Sequence, residues 1–376
     1  MFYKNARIYG SDFRFHHGAF EVVDGKFGAI LPENVPEDAI DLQGATVIPG
    51  LVEVHSHGAA GADFSDGDYE GLKAMAAFYA ACGVTSFAPT TMTLPYSILE
   101  QACGNAKRLV EENIPGLSVL RGIQMEGPYF SYKKRGAQNA DYLLEPDYEG
   151  FKILYDSCDG LIRIADVAPE LPGAVEFTEK VSKLCTVSVA HTDSDYDNAK
   201  AVFDAGATHL THLYNAMPPI HHRTPGVIPA AAENANVQAE IICDGHHIHP
   251  SAVRLAFAMF PGRMILVSDS GRCAGLEEGA EFDLGGQTAY LQGGVGKLAN
   301  GTIACSASDL WKCLRNVLSW GIKEEQAIRA ATLNPAKAIG ADRLVGSIET
   351  GKVADFLICG PDYAEKRVFL AGNELL

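Results

Sequence analysis

From residue 47 onward the chain repeats one theme: a short β-rich apolar run closes on polar or histidine-bearing residues, and helical spacing follows. The runs are VIPGLVEVHSH (47–57), GVTSFAPTTM (83–92), LRGIQMEGPYF (120–130), LIRIADVAPE (161–170), TVSVAHTDSD (186–195), GATHLTHLYNAM (206–217), VQAEIICDGHHIHP (237–250) and MILVSDS (264–270), eight in all. Between them, Leu72, Met75, Ala76 and Tyr79 fall on one helical stripe that Gly83 stops, and Ala199, Val202 and Phe203 form another that ends at Gly206. Alternating strands and helices predict an α/β fold with a parallel sheet, and eight repeats predict a closed (β/α)8 TIM-type barrel over residues 49–340. In that architecture chemistry belongs at the C-terminal strand ends.

The flanks lack this alternation. Residues 1–48 and 341–376 carry short β-like pieces, with Asp24-Gly25 as a hairpin signal, and they predict one small β-sandwich domain built from both termini. With 376 residues, 47% of them hydrophobic, the chain can bury a core of this size. The formal charge of -17 disfavours nucleic acid and anionic membrane as partners and points to a small molecule. No run of about 18 apolar residues is present to span a bilayer, and MFYKNARIYG lacks the order of a signal peptide, so a cytoplasmic address is expected. Nine scattered cysteines without a CxxC pair argue against a disulfide framework or a thiolate zinc site.

The strand ends gather His55 and His57, Glu126, His191, His212, His246, His247, His249 and Asp269. In a strand His55 and His57 share a face, so two imidazoles can chelate one cation. One satisfied core histidine beside a solvated one is the ordinary explanation of an isolated HxH. Recurrence of histidines and acids at one rim favours a catalytic site for Zn²⁺ or another first-row divalent ion. By strand parity, His209, three residues before an inward His212, should pack under a helix. His16, His17 and His221 belong to no constellation, and His246 and His249 read as loop residues.

The stretches VIPGLVEVHSHG, MEGPYFSYKKRGAQN, AHTDSD, THLYNAMPPIHHRTPG, CDGHHIHP, LVSDS, GTIACSAS and ATLNPAKAIG span nearly the whole chain. On them the chain resembles the amidohydrolase superfamily and, within it, the N-acetylglucosamine-6-phosphate deacetylases. The resemblance implies Glu126, His191 and His212 as ligands of one metal, with His55 and His57 able to hold a second and Glu126 able to bridge. Zn²⁺ is the first choice of ion, with Fe²⁺, Mn²⁺ or Co²⁺ as alternatives and one or two per subunit. It implies Asp269 as base and then acid, and His247 as the group that contacts the substrate and polarises its carbonyl. For a phosphorylated amino sugar it implies contacts from Ala137, Gln138, Asn215 and the amides around Ala216. Arg223, assisted by His222, would reach the phosphate from the neighbouring subunit of a homodimer. Two departures bear on substrate preference: Gln138 stands where some relatives have histidine, and Cys305 where glycine is more usual. The rival readings are another C–N hydrolase of the superfamily, of dihydroorotase, deaminase or D-aminoacylase type, and a metal-binding scaffold that lost catalysis. Retention of Asp269 speaks against the scaffold.

Overall fold

Each of the eight apolar runs contains a strand in the computed structural model, which describes residues 1–375. The strands are Leu51–Glu53, Val84–Phe87, Ile123–Met125, Ile162–Val167, Thr186–Val189, His209–Leu210, Gln238–Ile242 and Met264–Val267. All neighbouring pairs are parallel, and the bridges Thr90–Gln124 and Ser56–Ser270 join second to third and eighth to first, so the pairings run round a ring of eight. The outward side chains Leu51, Phe87, Met125, Val187, Leu210 and Leu266 pack in a cluster with helix residues such as Leu72, Met75 and Phe203. Asp68 caps the helix Tyr69–Ala81 by accepting from the Glu70 and Gly71 amides, and Asp195 caps Tyr196–Asp204; the buried stripes are those the spacing predicts. At the lower end of the ring Val52, Ile164, Ile242 and Ile265 meet Ala336, Ile339 and Val345 in an apolar plug.

The two ends of the chain do pair with each other. Strands between Phe2 and Pro49 and between Phe356 and Glu374 hydrogen-bond into one eight-stranded sheet. Asp24 and Gly25, at φ of 49° and 74°, make the predicted hairpin turn, since both central residues of such a turn need positive φ. Tyr3 stacks on Phe20 and Phe356 on Phe369, with centroids 4.9 and 4.4 Å apart, and Phe20 meets Phe356 edge-on at 5.2 Å, which binds the N-terminal and C-terminal strands in one core. One departure lies inside the span assigned to the barrel. Residues Glu281–Ser306 form a four-stranded antiparallel sheet after the eighth ring strand, and its last strand, Ile303–Ser306, reaches the rim. All nine cysteines are free thiols.

Candidate metal and active site

Glu126 follows the third strand by one residue, and four imidazoles surround it. Its Oε1 lies 3.2 Å from His191 Nε2, 3.0 Å from His212 Nε2 and 3.4 Å from His55 Nε2, while Oε2 lies 3.2 Å from His57 Nε2. His191 Nε2 and His212 Nε2 are 3.1 Å apart. Donors about 2.0–2.1 Å from one tetrahedral ion are separated by about 3.3 Å, so His191, His212 and Glu126 Oε1 have nearly the edge lengths of one face of a zinc-type polyhedron. Two groups can hold a cation by this criterion, His55–His57–Glu126 and Glu126–His191–His212, and they share the carboxylate. His55 Nε2 is buried and has no hydrogen-bond partner among the described residues, which suits a nitrogen whose lone pair awaits a metal. The donor set is nitrogen and oxygen without sulfur, so it fits Zn²⁺ and the other first-row divalent ions.

The rest of the site orients these donors. His191 Nδ1 lies 2.8 Å from the Lys134 carbonyl, which fixes its proton there, and Phe130 stacks on the ring at 4.4 Å. Gln138, nearly fully buried, donates to Glu126 Oε2 at 2.6 Å and accepts from the Thr93 amide at 2.8 Å. Its amide is thus committed to holding the shared carboxylate. Burial opposes ionisation of Glu126, yet His55 and His191 hold its carboxyl well below the ordinary carboxylate range. Burial also works against charging His55 and His57, but the carboxylates of Glu240, Glu126 and Asp269 hold the first well above the usual imidazole value and Glu126 raises the second.

Asp269 stands opposite, its Oδ1 3.7 Å from His55 Nε2 and 3.6 Å from His57 Nε2. Its amide donates to the His55 carbonyl at 2.9 Å and its carbonyl accepts from the Ser306 amide at 2.8 Å, so its backbone is held from both sides. His247 Nδ1 lies 2.7 Å from Asp244 Oδ2; burial lowers the affinity of this ring for a proton, but Asp244 reverses the effect and raises it. Glu53, buried, accepts from the His55 and Ser268 amides and ties together the rim ends of the first and eighth strands; burial pushes its carboxyl up to about 7.

A cavity of about 200 Å³ opens over these groups. Its wall includes His57, Glu126, His191, His212, His247 and Asp269 together with Ala137, Gln138, Asn215 and Ala216, so eleven of the predicted site residues meet at one place once the buried ligand His55 is added. The antiparallel sheet adds Ile303 and Ala304, which the sequence reading did not single out. Arg223 and His222 are exposed, contact each other at 2.7 Å and are not part of the wall. Cys305 is also outside it, packed on Cys273 with the sulfurs 3.7 Å apart. A larger cleft of about 1280 Å³ between the terminal sheet and helix Leu310–Ser319 has no comparable donor set among the described residues.

His209 corrects one expectation. It is fully buried inside the ring, with Nδ1 3.0 Å from Ser188 Oγ and Nε2 3.6 Å from Glu240, rather than under a helix. It belongs to a polar layer below the cavity that includes Gln124, Asp166, Ser188, Thr211 and Glu240, linked by contacts such as Ser188 Oγ to Thr211 Oγ1 at 2.6 Å. His249 caps the helix Pro250–Met259 and His246 is exposed, as loop residues should be.

Comparison with known proteins places the chain in a family. The model of the Amidohydrolase family matches residues 46–375. The N-acetylglucosamine-6-phosphate deacetylase of Bacillus subtilis (strain 168) is 34% identical, over 95% of this chain and 92% of that protein. The N-acetylgalactosamine-6-phosphate deacetylase of Escherichia coli O157:H7 is 31% identical, over 94% and 93%. Among solved structures, a mutant N-acetyl-D-glucosamine-6-phosphate deacetylase of Mycobacterium smegmatis, in complex with N-acetyl-D-glucosamine-6-phosphate, superposes with a TM-score of 0.93 at 28% identity, covering 100% of this chain and 99% of that one. The N-acetylglucosamine-6-phosphate deacetylase of Pasteurella multocida gives 0.91 at 31% identity, covering 99% and 98%.

Proposed function

The chain belongs to the amidohydrolase family, and from that premise we propose that it hydrolyses N-acetyl-D-glucosamine 6-phosphate to acetate and D-glucosamine 6-phosphate. The observation that carries the reading is Glu126, a carboxylate shared by two histidine pairs and facing Asp269 across a small cavity. His191, His212 and Glu126 would hold one divalent ion, and His55 and His57 with Glu126 a second; Zn²⁺ suits both sets. When bound, such an ion supplies Lewis acidity toward the acetamide oxygen and a more acidic water.

The protein's own groups account for the remaining needs. Asp269 takes a proton from the attacking water and returns it to the departing sugar nitrogen, so one carboxylate serves as base and then acid and no net proton is consumed within the step. His247, whose Nδ1 is held by Asp244, offers its other ring nitrogen to the acetamide oxygen. Gln138 keeps Glu126 oriented and lies beside the substrate with Ala137. Asn215 and the backbone at Ala216 receive the sugar phosphate. Arg223 with His222, lying outside this chain's own cavity wall, supplies paired charge-assisted bonds to the phosphate of a neighbouring subunit in a homodimer.

The test is acetate release from N-acetylglucosamine 6-phosphate and from its unphosphorylated form, with metal content measured on the same sample. Turnover of the phosphorylated sugar alone is expected. Release from neither sugar by metal-loaded protein would end the proposal. A second reading, action on N-acetylgalactosamine 6-phosphate, is favoured by the 31% identity to the E. coli O157:H7 enzyme named for that substrate, and the same assay run on that sugar separates the two.

A further inference from the structure

On the seventh ring strand, Gln238–Ile242, the residues Ala239 to Ile242 are buried, and among them stands one carboxylate, Glu240, which has no exposed surface. A fully buried ionised carboxylate is costly unless its oxygens are well satisfied. Its Oε2 accepts two bonds, from His55 Nδ1 at 2.8 Å and from the main-chain N–H of His212 at 3.1 Å. His55 belongs to one metal-binding group and His212 to the other. One buried oxygen therefore touches a ligand of each.

The two bonds do different things. A proton fixed on His55 Nδ1 leaves Nε2 as the lone-pair nitrogen, and that atom faces Glu126 Oε1 at 3.4 Å with no other partner. The bond to His212 restrains a backbone at φ of 27°, in the left-handed region that a histidine seldom adopts. Were residue 212 to relax into extended backbone, it would share the parity of Leu210, which packs on the helix side of the ring. His212 Nε2 would then leave Glu126.

Building on the metal-hydrolase reading above, we infer that Glu240 is a positioning residue that couples the two metal-binding groups, so that its loss loosens both. It is not part of the cavity wall and meets no substrate. The prediction that separates this from a role through His55 alone concerns the group that His55 does not enter. Glu240 supports that group through the backbone of His212.

The experiment uses full-length protein stripped with a chelator and titrated with Zn²⁺ against a chromophoric competitor, giving stoichiometry and affinity without any assay of turnover. Glu240→Ala and Glu240→Gln are each made in the wild type and in a His55→Ala background, where only Glu126, His191 and His212 remain as a complete group. Loss of an orienting partner typically lowers metal affinity by about 10–100-fold. Glu240→Ala is expected to do so in both backgrounds, and Glu240→Gln, which keeps the volume and one acceptor oxygen, to cause a smaller drop in both. Unchanged zinc affinity in the His55→Ala background would overturn the coupling. So would a lower melting temperature of the metal-free protein with unchanged affinity in the folded fraction, since that marks a purely structural residue. If Glu240→Ala fails to fold, the glutamine variants decide by the same criteria. Wild-type protein that binds no zinc, or any other first-row divalent ion in the same titration, would overturn the metal reading and this inference together, an outcome distinct from failure of the variants alone.

Discussion

Replacing Asp269 by asparagine removes a proton acceptor and changes little else. The residue has φ of 47°, where asparagine is one of the few side chains at ease, whereas alanine would add backbone strain of about 1–2 kcal/mol and confuse the result. The amide and carbonyl of residue 269 keep their bonds to His55 and Ser306 because both are main-chain bonds. Asp269 Oδ1 lies 3.6 Å or more from the nearest imidazole nitrogens, beyond hydrogen-bond length, so no direct bond to a metal-binding histidine is lost. General acid–base catalysis contributes about 10²–10⁴-fold, equivalent to about 3–5 kcal/mol of barrier. Because one carboxylate is asked to act twice, the upper end is expected. The measurements are acetate release under saturating N-acetylglucosamine 6-phosphate, substrate affinity by calorimetry and metal content. Turnover should fall by about 10⁴-fold while affinity and metal content stay within about twofold of wild type. Activity within tenfold of wild type would refute the role, and a parallel loss of metal would make Asp269 a ligand instead.

Arg223→Ala should raise KM for the phosphorylated sugar by about 10–100-fold with little change in kcat, as expected for a charge-assisted bond worth about 1.5–3 kcal/mol; an unchanged KM would remove Arg223 from the phosphate site. Gln138→Leu leaves the Thr93 amide without its partner and Glu126 Oε2 with His57 alone, so it should destabilise by about 1–3 kcal/mol and lower metal content, checked by thermal melting and metal analysis. Metal removal should matter more as pH rises. The raised imidazoles His55 and His57 stabilise the metal-free fold below their ordinary value of about 6.5, and this contribution is lost as pH climbs through their higher folded values, leaving buried Glu126 without a countercharge. The melting temperature of chelated protein should therefore fall relative to the loaded form as pH rises above about 6.5; a gap that narrows as pH rises would contradict the assigned charges.

The ring was legible because every strand is a compact apolar run and the helical stripes between are strongly periodic. The candidate metal ligands were legible because few structural demands place histidines repeatedly at strand ends. The antiparallel sheet at Glu281–Ser306 was missed although its signals are present: Gly285-Gly286 and Gly293-Gly294 sit between β-rich pieces, the pattern of successive hairpins. The buried polar layer was missed for a different reason. Gln124, Asp166, Ser188 and Glu240 are polar residues each flanked by apolar neighbours in their strands, and only the ring's closure tells that they face one another rather than solvent or helices.

The error over His209 comes from the same feature that builds the site. On the fifth and sixth strands Val189 and Leu210 face the helices, so strict alternation would send His191 and His212 outward too. Neither residue is still in its strand: their φ values are 43° and 27°, and the left-handed turn at each swings the imidazole over the ring's mouth. Counting back from His212 with a strand's period therefore assigns His209 to the wrong face, because the period is broken between them. Strain of this kind costs about 1–3 kcal/mol per residue and persists where surrounding bonds hold it. Here the bond from the His212 amide to Glu240 and that from His191 Nδ1 to the Lys134 carbonyl do the holding. Replacing His212 by glycine would relieve the strain while deleting the ligand, so the metal-free His212→Gly protein should melt no lower than metal-free wild type even though its zinc affinity collapses. A metal-free variant that melts several degrees lower would mean that the imidazole, rather than the backbone bond, holds the rim of the ring in place.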